Sequence, residues 1–148
     1  MFGPVCSVLL SCLVLASAFP VFRDCGSQTG VLKELSIESC TTPICTLHKK
    51  RNETINVVFH SNNVVNGGKV VVHGILSYVP VPFALDDDNL CHFVSPTCPL
   101  RPTEDTYKYS FSLPIKDSYP SVRLKIKWEL VDENGKDIVC ALFPVEIS

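Results

Sequence analysis

Four histidines, a run of three aspartates and eight cysteines are the residues of this 148-residue chain whose types could do chemistry. No Gly-x-Ser-x-Gly elbow, no His-Glu-x-x-His pair and no glycine-rich phosphate loop surrounds His48, His60, His73 or His92. His60 and His73 fall within predicted strands, where a hydrogen-bonded structural or surface imidazole is expected. Asp86, Asp87 and Asp88 lack the spaced oxygen ligands and the later glutamate of an EF-hand loop, so they read as a solvated acidic turn rather than a calcium site. The chain therefore reads as a non-enzyme with no cofactor.

The cysteines carry more. Eight in so short a chain point to an oxidising compartment. Residues 8–15 form an apolar run followed by Ala16-Ser17-Ala18, a small-x-small cleavage pattern, so residues 1–18 read as a signal peptide cut after Ala18. No Lys or Arg precedes the run, and it is too short to cross a hydrocarbon core of ~30 Å. Cys6 and Cys12 leave with that segment. Cys25, Cys40, Cys45, Cys91, Cys98 and Cys140 remain, and six cysteines allow about fifteen pairings. Spacing sets an order of preference. Cys40 and Cys45 bracket a Thr-Thr-Pro-Ile turn and Cys91 and Cys98 a proline-containing loop, which leaves Cys25 and Cys140 to join the ends of the domain. Zinc is the rival use of Cys40, Cys45 and His48, or of Cys91, His92 and Cys98. An oxidising lumen favours disulfides, and no metal is expected.

The elements that must position these residues are strands. Eleven prolines against one Met and one Trp, with no long Ala/Leu/Glu/Lys stretch, argue against a helical bundle. A net charge of −2 does not suggest a nucleic-acid binder. Val122, Leu124, Ile126, Trp128 and Leu130 alternate with Arg123, Lys125, Lys127 and Glu129, which predicts a half-buried antiparallel strand over residues 121–131. Asn134-Gly135 predicts a hairpin into a second strand over 138–147, kinked or made an edge by Pro144. Residues 31–38, 54–61, 69–79 and 106–113 also read as strands, with a turn at Asn66-Gly67-Gly68. Six or seven short strands predict an all-β, two-sheet sandwich in one domain over residues 19–148. An antibody-type domain is not expected, because Trp128 lies thirty residues beyond Cys98. The connection from Pro80 to Asp105, with five prolines, predicts an ordered, stiffened loop.

Three features admit both a plain and a functional reading. Arg123, Lys125 and Lys127 form a basic stripe, either ordinary solvated surface or a contact for anionic lipid headgroups. Asn52-Glu53-Thr54 is an N-glycosylation sequon. The apolar stretch from Tyr78 to Leu85, and the corner of Ile115, Tyr119 and Pro120, fit a filled core or a lined cavity equally well.

The residues also carry a resemblance. Asp24-Cys25-Gly26-Ser27, Val71-Val72-His73-Gly74-Ile75-Leu76 with Val79-Pro80-Val81-Pro82-Phe83, and Tyr119-Pro120-Ser121 resemble the ML lipid-recognition family, in particular its sterol-transfer members. The resemblance covers the chain after residue 18. It implies an immunoglobulin-like sandwich with a lipid cavity between its sheets, and disulfides Cys25–Cys140, Cys40–Cys45 and Cys91–Cys98. It places lipid-binding positions at Val79, Val81, Phe83, Ile115, Tyr119, Pro120 and Trp128, with Phe83, Ile115 and Tyr119 at the entrance. It further implies a secreted or endosomal and lysosomal monomer that carries cholesterol or a related sterol. The implied acceptor is the large Niemann-Pick type C membrane protein. The alternatives are a carrier of fatty acids, other small lipids or semiochemicals, and a fully packed extracellular recognition module. Val58 removes a family sequon at Asn56, Ile115 stands where Val is frequent, and the 86–88 turn is unusually acidic.

Overall fold

The computed structural model describes residues 3–4 and 19–148. The expected signal peptide, with its 8–15 run and cleavage site, otherwise lies outside the described residues.

Among the described residues ten strands form two sheets. They are β1 (Arg23–Asp24), β2 (Gly30–Ile37), β3 (Cys45–Leu47), β4 (Asn52–Ser61), β5 (Gly68–Leu76), β6 (Val79–Phe83), β7 (Val94–Ser95), β8 (Tyr107–Pro114), β9 (Arg123–Asp132) and β10 (Asp137–Ile147). One sheet runs β1-β10-β9-β5-β6, with β3 added in parallel to β10; the other runs β2-β4-β8-β7. Among the described residues the sole helical element is a single 3-10 turn at Leu90–His92. The all-β sandwich expected from the alternating patterns is therefore the observed fold.

The strongest pattern folds as read. Along β9, Ile126, Trp128 and Leu130 are buried while Arg123 and Lys125 are exposed. Asp132 and Gly135 close the following turn, Gly135 at φ +78°, where L side chains are disfavoured. β10 then continues through Pro144. From Val139 to Glu146 it keeps its register with β9, and Pro144 falls in the gap between the stretches that β1 and β3 cover on its other edge. A residue without an N–H is tolerated where no partner strand requires one.

Two expectations need correction. The strand predicted over 69–79 ends at Leu76, and the predicted loop from Pro80 begins as strand β6. Ser77 and Tyr78 both take left-handed φ values (+47° and +68°), so a two-residue turn folds β6 back onto β5. Pro80 and Pro82 are accommodated because β6 is an edge strand and both share the side of the chain that bonds no neighbour. The rest of the connection is ordered, as expected. Leu100 bridges to Val65, β7 pairs with β8, and Asp87 accepts from His92 Nδ1 at 2.7 Å. That hydrogen bond holds the Asp87 carboxyl below the usual aspartate range.

Among the described residues three disulfides join Cys25 to Cys140, Cys40 to Cys45 and Cys91 to Cys98. No helix among the described residues is long and apolar enough to cross a membrane.

Candidate functional site

Cross-strand neighbours share a face of a sheet, and this register decides what faces the interior. Phe83 lies opposite Val72, which lies opposite Trp128; Val81 lies opposite Gly74, which lies opposite Ile126. At one end of the sandwich Trp128 of this row meets buried Tyr109 and Phe111, and the interior is filled. At the other end the sheets do not close. A cavity of about 220 Å³ remains between them. The sandwich is thus not packed throughout, which removes the fully packed alternative.

Sheet residues Val72, Gly74, Leu76, Val81, Phe83, Leu124, Ile126 and Trp128 form one wall, and Leu113 and Ile115 stand on the other. Tyr119, Pro120 and Val122, in the segment that crosses from one sheet to the other, close the end. Trp128 is the floor, 1% exposed, its ring 6.1 Å from Tyr109 and 6.2 Å from Phe111. Phe83 and Tyr119, both in the lining, meet edge to face with centroids 5.5 Å apart. The wall is almost entirely hydrocarbon; Tyr119, Trp128 and His73 are the lining residues whose side chains carry a polar atom. Burial and the nearby Asp86 carboxylate raise the Tyr119 phenol above its ordinary value, so it stays protonated. The His73 ring turns to the opposite face of the sheet, 3.9 Å from Glu129. With walls this apolar, the cavity can exclude water from an apolar guest.

Six of the seven residues singled out from the sequence, Val81, Phe83, Ile115, Tyr119, Pro120 and Trp128, line the cavity. Val79 does not. It sits beside the 77–78 turn and is 60% exposed. Sequence reasoning missed Gly74, whose absent side chain is part of the space. A Cβ there would lie 3.0 Å from Leu124 Cδ1, a contact a flexible leucine can relieve. Gly74→Leu is therefore expected to fold with Tm changed by no more than about 5 °C, while placing a side chain in the cavity and lowering ligand affinity on the order of tenfold or more. Thermal unfolding and titration with an apolar ligand check both halves.

The remaining candidates lie elsewhere. Arg123 pairs with Glu146 at 3.5 Å and Lys127 with Glu129 at 3.6 Å, so much of the basic stripe is compensated within its own sheet. No ion pair of Lys125 occurs among the described residues. Asn52 is exposed at the start of β4; Asn56 is buried and accepts from Ser110 Oγ at 2.6 Å. His60 Nδ1 lies within hydrogen-bonding distance of the Glu104 and Asp105 carbonyls, a structural role.

Fold and site together define a β-sandwich binding domain with an apolar interior cavity. The family model described as the ML domain matches residues 20–147, and the chain belongs to that family. It is 43% identical over 142 residues to the NPC intracellular cholesterol transporter 2 of Sus scrofa, covering 95% of this chain and 94% of the relative. The protein of that name from Danio rerio is 42% identical, covering 95% and 93%. Among solved structures, a Niemann-Pick type C2 protein from the Japanese carpenter ant superposes with a TM-score of 0.78 at 29% identity, over 86% of this chain and 99% of that one.

Proposed function

We propose that this protein is a sterol carrier: it takes a cholesterol-like lipid into the cavity between its sheets, shields it from water and transfers it between membranes. The observation that carries this reading is the hydrocarbon-walled cavity behind the Phe83–Tyr119 contact. Relatives named for intracellular cholesterol transport, similar over nearly the whole chain, support it. Enclosing a sterol is driven by burial at roughly 25 cal/mol per Å² of apolar surface. A mouth rimmed by aromatics leaves the one sterol hydroxyl near water. Carriage makes and breaks no bond.

The cavity volume is below the ~300 Å³ at which pockets for drug-sized ligands begin. Uptake therefore requires Phe83 and Tyr119 to separate and the walls to move apart, and release to a membrane reverses that motion. In this reading the chain is cut after Ala18, acts as a monomer in secreted fluid and the endosomal and lysosomal lumen, and carries a glycan at Asn52. The uncompensated Lys125 would meet anionic lipid headgroups, and the large Niemann-Pick type C membrane protein would accept the sterol.

The test is equilibrium binding of a fluorescent sterol to the purified mature chain at neutral and acidic pH, with cholesterol, oleic acid and a lysophospholipid as competitors. Saturable one-to-one binding displaced best by cholesterol is the expected result. Displacement by oleic acid or lysophospholipid alone would reassign the cavity to smaller lipids, and no binding of any lipid would overturn the carrier reading.

A further inference from the structure

On the face of the sheet turned away from the cavity, two carboxyl groups meet. Glu129 projects outward from β9 with its side chain only 15% exposed. Asp137 opens β10 at a bulge, where the register shifts between Asp137 and Val139. One oxygen of each carboxyl group and the Cys140 sulfur lie within 4.8 Å of one another. Cys140 is bonded to Cys25, so the sulfur offers no charge to separate them.

The backbone of Asp137 is a fastening point. Its carbonyl accepts from Gln28 N and Thr29 N, both at 3.0 Å, and its N–H donates to Gln28 Oε1 at 3.1 Å. Cys25 N donates to the Cys140 carbonyl, and Cys140 N to Ser27 Oγ. Residues 25–29 are thus a strap laid along β10, leading from β1 in one sheet to β2 in the other.

We propose that Asp137 holds a proton beside Glu129 in acid, and that losing it toward neutral pH loosens the strap of residues 25–29 from β10. Two carboxylates this close, one of them largely removed from water, repel when both ionise. The charged surroundings only partly offset this. Lys127 Nζ is 3.6 Å and His73 Nδ1 3.9 Å from the same Glu129 oxygen, and that His73 nitrogen is buried without a hydrogen-bond partner. Lys69 on β5 pairs with Asp88, Asp132 at the end of β9 adds negative charge, and Lys136 adjoins Asp137 in the exposed turn. On β1, Arg23 is exposed and the Asp24 carboxylate accepts from Gly26, Ser27 and the Ser27 hydroxyl. Burial, then the Glu129 carboxyl, push Asp137 up to about 7. Because this exceeds the value of an exposed aspartate, the associated stability is full below pH 3.8 and is lost as pH rises through 7. Asp137 is partly exposed, so solvent screens part of the repulsion.

The experiment follows carboxyl chemical shifts, amide hydrogen exchange and thermal unfolding of the mature chain from pH 4.5 to 8. The expected result is a titration midpoint for the pair between 6 and 7.5, and a Tm about 3–6 °C lower at pH 8 than at pH 5. Exchange at Gln28 and Thr29 should rise with pH beyond its intrinsic dependence. Asp137→Asn should abolish the Tm slope and the excess exchange, whereas His73→Gln should retain both. Midpoints below 5 for both carboxyls would overturn the proposal in the unmodified chain alone. So would a slope that survives Asp137→Asn or disappears in His73→Gln.

Discussion

Replacing Phe83 or Tyr119 by aspartate is expected to lower sterol uptake by at least about a hundredfold while leaving the protein folded. The two rings touch in the cavity lining, so each must border the guest when the cavity is occupied. A carboxylate there must be stripped of water when the lipid enters, at a cost of several kcal/mol, and ~1.4 kcal/mol is already a factor of ten. Stability should suffer far less. Both positions are only partly buried, and a charge at an empty mouth can turn to water. Phe83→Leu keeps an apolar wall and should bind within about tenfold of the parent chain. Sterol titration together with thermal unfolding separates a lost site from a lost fold. An unfolded Phe83→Asp variant would show that the mouth is part of the core.

Removing the Cys25–Cys140 disulfide is expected to cause the largest loss of stability. That bond joins residues 115 apart in sequence, so its absence restores a large loop entropy to the unfolded chain, on the order of 4–5 kcal/mol in the loop-closure model. For a domain of this size the loss corresponds to a fall in Tm on the order of 15 °C. The Cys40–Cys45 bond spans only five positions, and its removal should cost about 2 kcal/mol. Paired Cys→Ser variants followed by thermal unfolding check the order. Equal losses for the two bonds would mean that native contacts around Cys40, rather than loop length, set its contribution.

Much of this architecture is legible residue by residue. The alternation along β9 names its buried and exposed faces, and Asn134-Gly135 names the hairpin after it. The β5–β6 hairpin was not legible. Its turn uses Ser77 and Tyr78 in left-handed conformations, where the familiar signal is Asn or Gly. Prolines at 80 and 82 argue against a strand until the strand is known to be an edge. The charge of Lys125 and its neighbours was visible in sequence, but not that Glu129 and Glu146 answer much of it.

Strand periods, turn residues and six cysteines suffice for a disulfide-bonded β-sandwich, and the separated motifs mark its family. That the apolar residues surround a space comes from the packing of the two sheets. Period two states which side chains leave water, and it is the same for a filled core and a lined cavity. The difference lies in how far apart the two sheets stand around the cavity that Ile115 and Trp128 both line, and in Gly74 contributing no side chain to it. That separation is set by contacts between residues distant in sequence. No local pattern carries it.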